Sequence, residues 1–436
     1  MKVVILDGSQ ANDMTGEHVR KVLLAELETR GCDVEHIIIR EQKIGNCAGD
    51  FFCWIRTPGM CHVDDDNRRI AKALINCDLM VYLTPVTFGG YSSMLKRMVD
   101  HTIQNISPNF AKVEGETHHQ KRYGKYPDFL VIGWMEAPDT DTERIFRHLV
   151  QRNALNFYAE KAACGVVLAG QSDGQIQASV QHWLNNLHSG QPLPAVKLPE
   201  GSTTPGSASE IRRALLLVGS PRTNKSNSNS IGGYLFERLR LHSIQTETVY
   251  LHTMVRSPDK IKALMEAIDE ADLVTLAFPL YEDTLPSPVI EVLERIAAYR
   301  QGHRQTHRPL FTAISNCGFP EAQHNANALA ICETFAKQSN LQWAGGLALG
   351  GGEQIGGRPL VKAGGQMIRI RKALELAAEA LVVSQSIPKM AQDLMAKPVV
   401  PAWTYRLMGG YIWKQRAKPY RAGKLLKRQP YLATVK

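Results

Sequence analysis

The chain has 436 residues, 44% apolar and 21% charged, a composition of folded globular domains rather than of disordered or fibrous chains. Its length suits two or three domains, and no uninterrupted apolar run approaches the roughly 18 residues of a membrane span. The net charge of +9 is uneven: residues 397–436 hold ten Lys/Arg and no Asp or Glu, which leaves the first 396 residues at about −1. The excess describes a C-terminal extension and points to no nucleic-acid partner, because a nucleic-acid-binding core needs a cationic surface of its own.

Residues 1–9, MKVVILDGS, run straight into a strand, so no signal peptide is expected and a cytoplasmic place follows as the default. The eight cysteines are then expected to be reduced. Residues 2–6 read as the first strand, 7–16 (DGSQANDMTG) as a polar loop, and 17–29 as a helix with Val19, Leu23, Leu24 and Leu27 on one face. Gly31 is a natural stop for that helix. A second strand follows at 33–39, a loop with three cysteines at 47–66, and a helix at 68–75.

The stretch 77–100, CDLMVYLTPVTFGGYSSMLKRMVD, is strand, loop and helix. The apolar run ends in Thr84-Pro85, and Met94, Leu95, Met98 and Val99 recur at helical spacing. Between them, the loop offers a stiffening Pro85, glycines for close backbone approach, and Phe88 and Tyr91 as stacking faces for a flat aromatic ligand. A fourth strand is expected at 129–134, a helix at 143–158, a fifth strand at 164–169 and a closing helix at 176–187. Five strands alternating with helices predict a parallel sheet covered on both faces, with ligands at the carboxyl ends of the strands.

Residues 188–211, rich in Pro, Gly, Ser and Thr, read as a linker. Then the pattern restarts. Strands are expected at 213–218, 246–251, from 272, at 310–315 and at 343–349, with helices at 231–240, 260–271, 321–338 and 366–384 between and after them. The stretch 272–294, DLVTLAFPLYEDTLPSPVIEVLE, partly repeats 77–100 and predicts an internal duplication. The division expected is residues 1–187, a linker at 188–211, residues 212–390, and a basic, aromatic-rich tail at 391–436.

The loop between first strand and first helix is placed to hold a phosphate, since helix N-terminal N–H groups and the dipole favour an anion there. In the second copy, Ser220, Arg222, Ser226, Asn227 and Ser228 supply donors and one fixed positive charge. In the first copy Ser9, Asn12 and Thr15 can donate, but Asp7, Asp13 and Glu17 would repel a dianion and the loop holds no Arg or Lys. Neither loop is a Walker motif or a GxGxxG fingerprint.

With GSPRTNKSNS from Gly219, the Pro-aromatic loops at Pro85 and Pro279 and the cysteine segment 47–66, the chain resembles the flavodoxin-like NAD(P)H-dependent FMN reductases, present twice in tandem over most of residues 1–390. The resemblance implies an α/β fold of two doubly wound flavodoxin-like domains, each with a five-stranded parallel sheet of order 2-1-3-4-5. It implies FMN as cofactor and NAD(P)H as co-substrate, with electrons passed to a small acceptor such as a quinone, a nitro compound or a flavin. The flavin carries the chemistry, so no titratable catalytic residue is required. The positions implied for FMN are Ser9, Thr15, Pro85, Val86, Thr87, Phe88, Gly89 and Gly90 in the first domain. In the second they are Ser220, Arg222, Ser226, Asn227, Ser228, Pro279, Leu280 and Tyr281. A homodimer is also implied, because the flavin sites of such reductases are often completed across a two-fold interface.

The first domain has the better ring loop and the poorer phosphate loop; the second has the reverse, with Glu282 and Asp283 beside its ring position. One FMN per chain is therefore as consistent with the residues as two. The alternatives to an enzyme fed by NAD(P)H are an electron-transfer flavoprotein fed by a partner and a scaffold whose flavin sites have degenerated.

The segment Cys47-AGDFF-Cys53-WIRTPGM-Cys61 resembles the cluster loop of iron–sulfur flavoproteins, with Asp50 where the second of four cysteines stands. Carboxylate substitutes poorly for thiolate on iron, so no metal is expected and a redox or structural role for the thiols is preferred. His118 and His119 with Arg122 read as a solvated insertion, with Arg122 as an alternative contact for an NAD(P)H phosphate. Cys317 reads as a buried small residue rather than a reactive thiol. The tail mixes cations with Trp403, Tyr405, Tyr411, Trp413, Tyr420 and Tyr431, which suits packing back on the protein or a peripheral position on an anionic membrane surface. Gly409-Gly410 is expected to break any helix there.

Overall fold

The computed structural model describes residues 1–202, 210–303 and 307–432. They form two compact units, Met1–Leu198 with Arg406–Lys436, and Pro199–Tyr405.

The first unit starts with β1 (Lys2–Asp7), α1 (Met14–Thr29), β2 (Asp33–Ile38), the short α2 (Phe52–Ile55) and α3 (Asp66–Ile75). It continues through β3 (Leu79–Thr87), β4 (Gly90–Tyr91), α4 (Ser93–Val99) and the hairpin β5 (Ile106–Val113) and β6 (Glu116–Lys121). Then come β7 (Asp128–Met135), α5 (Thr140–Asn156), β8 (Ala162–Leu168) and α6 (Asp173–Ser189). The main sheet runs β2-β1-β3-β7-β8, all parallel, with β4 pairing antiparallel to the end of β3. Alternate side chains serve its two faces. On one, Val3, Ile5, Val81 and Ile132 pack under Val19 and Leu23 of α1 and Val180 and Leu184 of α6. On the other, Tyr82 and Phe129 meet edge to face, and Phe146 of α5 packs against Tyr91. Truncating Phe146, which is fully buried, would cost about 3–5 kcal/mol.

The second unit holds β9 (Arg213–Val218), α7 (Asn227–Arg240), β10 (Gln245–Tyr250), α8 (Pro258–Glu270) and β11 (Leu273–Pro279). It ends with α9 (Ser287–Gly302), β12 (Leu310–Asn316), α10 (Ala326–Gln338), β13 (Gln342–Leu349), α11 (Ile368–Val382) and α12 (Lys389–Ala396). Its parallel sheet runs β10-β9-β11-β12-β13, so both units have the flavodoxin-like order 2-1-3-4-5. Leu216, Val218 and Ile314 share a core with Ile231 and Leu235 of α7 and Ile370 and Leu374 of α11. Ala391 and Met395 of α12 join that core, so the segment expected as one tail from residue 391 divides in two. Residues from Arg406 on belong with the first unit.

Local differences from the sequence reading have physical causes. β3 does not stop at Thr84-Pro85 but continues to Thr87, because Val86 and Thr87 pair with Tyr91 and Gly90. The polar segment around His118 is no solvated insertion: it is strand β6, and His119 lies among the rings of Trp54 and Phe110. Burial there pushes the His119 imidazole down to about 3. α13 (Ala402–Ala417) runs through Gly409-Gly410 unbroken. A side chain at Gly409 would meet the Phe110 ring, its Cβ 2.1 Å from Cε2, so close packing outweighs the low helix propensity of glycine.

Candidate functional site

In a doubly wound sheet the carboxyl ends of the strands converge on the ligand. In the second unit, β9 ends at Val218 and residues 219–226 lead into α7. Ser226 caps α7 through its hydroxyl, which accepts from Asn229 N–H at 3.1 Å. The cap is neutral, so the positive end of the helix dipole faces a loop of hydroxyls rather than a carboxylate. Ser220, Ser226 and Ser228 are buried, Asn227 is half-buried and Arg222 is exposed. Asn316, at the end of β12, donates from Nδ2 to Ser228 Oγ at 3.0 Å and to Phe278 O at 2.9 Å. It thereby ties α7 to the ends of β11 and β12. From the loop after β13, Gly357 N–H donates to Asn227 Oδ1 at 2.8 Å.

The ring loop of this unit begins at the same end of the sheet, with Leu280 N–H donating to Asn316 O at 2.9 Å. Pro279, Leu280, Tyr281 and Glu282 are half-buried. Asp283 is turned inside, 4% exposed, with Oδ1 3.7 Å from His324 Nδ1. Of the two carboxylates beside the ring position, only Glu282 stands on the rim. Cys317 is buried, and burial pushes its thiol up to about 12, which removes it as a nucleophile.

The first unit arranges the same loop around carboxylates. Asp13 caps α1, its Oδ1 accepting from Gly16 N–H at 2.9 Å while Oδ2 accepts from Trp134 Nε1 at 2.9 Å. The protein's own anion therefore occupies the end of the helix that a phosphate would use. Asp7, buried at the end of β1, accepts from Ser9 N–H at 2.9 Å and lies 3.3 Å from Arg20 Nη1 and 3.1 Å from His36 Nε2. Burial alone would raise this carboxyl, but hydrogen bonds from His36 and Ser9 outweigh it and hold it at about 2. Ser9 is buried and Thr15 half-buried. Arg40, just past β2, donates to Ser9 O at 3.1 Å and to Ser9 Oγ at 3.0 Å. In the ring loop Pro85, Val86 and Thr87 are half-buried, whereas Phe88, Gly89 and Gly90 are buried. Tyr91, expected as a stacking face, is fully buried against Tyr82 and Phe146.

The cysteine loop lies under the C-terminal segment. Phe51 and Trp54 pack on Trp413 with ring centroids 5.2 and 5.0 Å apart, and Arg416 lies over Phe51 and Trp413. Burial pushes the Cys47 thiol up to about 12 and raises Cys53 and Cys61 as well. Asp50 is spent on the loop itself: Oδ1 accepts from Phe52 N–H at 2.9 Å and Oδ2 lies 3.7 Å from His62 Nδ1. With Asp50 so engaged, the loop offers three thiols where a four-thiolate cluster takes four. Arg122 is buried, and its guanidinium donates to Ile106 O, Leu426 O and Arg428 O. It therefore anchors the C-terminal segment instead of meeting a dinucleotide phosphate.

Two parallel sheets of this order, each with a loop at the first helix and a Pro-aromatic loop after the third strand, define a tandem flavodoxin-like protein. The profile of the NADPH-dependent FMN reductases matches residues 1–121 and 212–334, and the chain belongs to that family. FMN and NADPH are the cofactor and the reductant in that family's description. The chain is similar, at 28% identity over 102 residues, to an iron–sulfur flavoprotein of Methanocaldococcus jannaschii. The match covers 23% of this chain, which spans about half (52%) of the length of that relative. Among solved structures, an NAD(P)H:quinone oxidoreductase of Methanothermobacter marburgensis is 15% identical, with a TM-score of 0.29 over 38% of this chain and 96% of that one. An FMN-dependent NADH-azoreductase of Bacillus anthracis is 11% identical, with a TM-score of 0.30 over 39% of this chain and all of that one.

Sequence reasoning missed Arg40 and Arg20 at the first loop. Arg40 was within reach of it: in the order 2-1-3-4-5 the second strand lies beside the first, so a residue just past β2 arrives next to the loop after β1. The Asp13 cap is legible as an Asp before a helix, and its charge, expected only to repel a phosphate, serves the helix end itself.

Proposed function

We propose that the protein is an FMN-dependent oxidoreductase that passes electrons from NAD(P)H to a small acceptor, a quinone, nitro compound or flavin. The observation that carries this reading is the neutral, hydroxyl-lined loop at the N-terminus of α7, with Arg222 exposed beside it. Ser220, Arg222, Ser226, Asn227 and Ser228 hold the FMN phosphate in this reading, and Pro279, Leu280 and Tyr281 meet the ring. FMN, when bound, supplies the hydride and electron chemistry. The protein supplies position: Asn316 fixes the phosphate loop against the ring loop through Ser228 and Phe278.

One observation favours a single FMN per chain. Asp13 already takes the α1 N-terminus, so Ser9, Thr15 and the loop from Pro85 to Gly90 form the weaker of the two candidate sites. A homodimer belongs to the reading on the strength of family membership. So does a cytoplasmic place, supported by eight free cysteines, with a peripheral position on an anionic membrane surface supported by the charge of the last forty residues. Among the described residues no helix is long and apolar enough to cross a membrane.

The test is to load the purified chain with FMN, dialyse it, count flavin per chain and follow its bleaching by NADPH without oxygen. About one FMN is expected to remain, and Arg222→Ala is expected to weaken binding about tenfold through loss of one charge-assisted contact. Unchanged affinity in Arg222→Ala would remove the proposed phosphate site. Bound flavin that NADPH leaves oxidised would favour a protein fed by a partner.

A further inference from the structure

Helix α13 is apolar on both sides. Gly409, Trp413 and Ala417, spaced by four, face the first unit and are buried. Around the rest of the helix, Trp403, Leu407 and Tyr411 form a second row of the same spacing, with Met408 and Ile412 beside it. These side chains are 66%, 73%, 60%, 45% and 42% exposed, respectively. A surface helix whose inner face is already packed ordinarily turns polar residues outward. Five large apolar residues on one outward arc, with Thr404, Lys414 and Gln415 interspersed, exceed the scatter of single apolar residues found on most proteins and mark an interaction surface.

The charge around this arc selects the occupant. Lys414, Lys418, Arg421, Lys424, Lys427 and Arg428 are all exposed, and residues 397–436 hold no acidic side chain. A second copy of the chain docking here by a two-fold axis would set these cations against their equals. A negatively charged bilayer pairs them instead. It also accepts Leu, Ile and Met into its acyl boundary and Trp and Tyr at the headgroup level. Each cation near such a surface adds to the attraction, which salt weakens.

We infer that the outward arc of α13, Trp403, Leu407, Met408, Tyr411 and Ile412, inserts into the headgroup boundary of an anionic membrane, with the following cations holding the lipid charge. The inference rests on the peripheral placement proposed above and makes it specific to one helix face. Anchoring is held on the body of the protein, because the inner face of the same helix is fixed: Trp413 packs on Phe51 and Trp54, and Arg406 Nη1 donates to Thr117 Oγ1 at 3.1 Å.

The experiment is sedimentation of the full-length chain with vesicles of phosphatidylcholine, with and without about 30% phosphatidylserine, at low and high salt. Leu407→Glu/Tyr411→Glu is run beside it, with far-ultraviolet circular dichroism and gel filtration on both proteins. Both substituted residues are exposed, so the variant is expected to fold as the parent does. The intact chain is expected to pellet with the anionic vesicles, at least tenfold less with neutral ones and less at high salt; the variant should lose at least tenfold of the anionic binding. An intact chain that stays in solution with anionic vesicles overturns both the helix face and the peripheral placement. A variant that pellets as well as the parent overturns the helix face alone, leaving charge as the sole anchor. A parent dimer that the variant turns into monomers, without vesicle binding by either, assigns the face to a second copy.

Discussion

The first loops of the two units start from nearly the same words, LDGS at residues 6–9 and LVGS at 217–220. Their backbones agree: Gly8 N–H donates to Leu83 O at 2.8 Å, and Gly219 N–H donates to Ala277 O at 2.8 Å. What differs is the charge held inside. One loop has a buried Asp7 tied to His36 and Arg20 and a helix capped by Asp13. The other has Val218 at the first position and a helix capped by Ser226. A carboxylate cap and a bound phosphate draw on the same N–H groups, so a loop cannot serve both well. A duplicated frame can thus keep its strand register while one copy braces its first loop with carboxylates and the other lines it with hydroxyls.

The largest effect is expected at the closing loop of the second unit. Gly357 has φ +68°, and a Cβ there would stand 2.2 Å from Lys225 O, a backbone atom that cannot swing aside. Gly357→Ala must push the loop after β13 off the phosphate loop. FMN affinity is expected to fall about thirtyfold or more, from roughly 2 kcal/mol or more of strain. Gly356→Ala is the control, because its φ of +64° carries the same backbone cost while the nearest atom a Cβ would meet is Arg358 Nε, 3.6 Å away on a flexible side chain. It should lose about 1 kcal/mol of stability and little flavin affinity. Equal flavin loss in the two variants, by fluorescence titration with FMN, would mean that backbone strain and not loop contact is being measured.

Next comes the brace of the first unit. The Asp7 carboxyl is held at about 2, below the ordinary value of 3.8. A group depressed in the folded state stabilises above its unfolded value, and that stability is lost as pH falls through the folded one. Asp7 thus contributes about 2 kcal/mol at neutral pH, and the contribution fades between about pH 4 and pH 2. Asp7→Asn should lower stability by about that amount at pH 7 and by little near pH 2. Calorimetry of the full chain at both values checks it. A pH-independent difference would assign the loss to packing rather than charge.

The fold was legible because its signals are local. Apolar runs such as 79–83 and 273–278 belong to strands buried on both faces, and the helices between them show their period in single windows. The site was less legible because its decisive contacts are not local. Asp13 meets Trp134, Ser228 meets Asn316 and Asn227 meets Gly357, and no spacing rule links those positions. Tyr91 escapes the sequence for a related reason: an aromatic in a loop looks like a stacking face until β4 folds back on β3 and turns it inward. Gly409 escapes it because helix propensity says nothing of the Phe110 ring that fills the space left by the absent side chain.

The smallest effect bears most directly on the comparison. Asp13→Asn keeps a capping oxygen but removes the charge from the N-terminus of α1. One of the two donors now served, Gly16 N–H or Trp134 Nε1, loses its acceptor. A stability loss of about 1 kcal/mol is expected, the usual worth of a weakened cap. With the charge gone, the helix end regains its preference for an external anion. Flavin bound per chain at high FMN should then rise above the one expected of wild type, helped by Arg40 beside Ser9. Equilibrium dialysis against FMN reads both proteins directly. If wild type already binds two, the carboxylate cap does not close the first site and the two loops differ in form alone. If the variant stays at one, the Asp7 network, still intact, is what keeps phosphate out, and Asp7→Asn/Asp13→Asn becomes the variant in which the second flavin should appear.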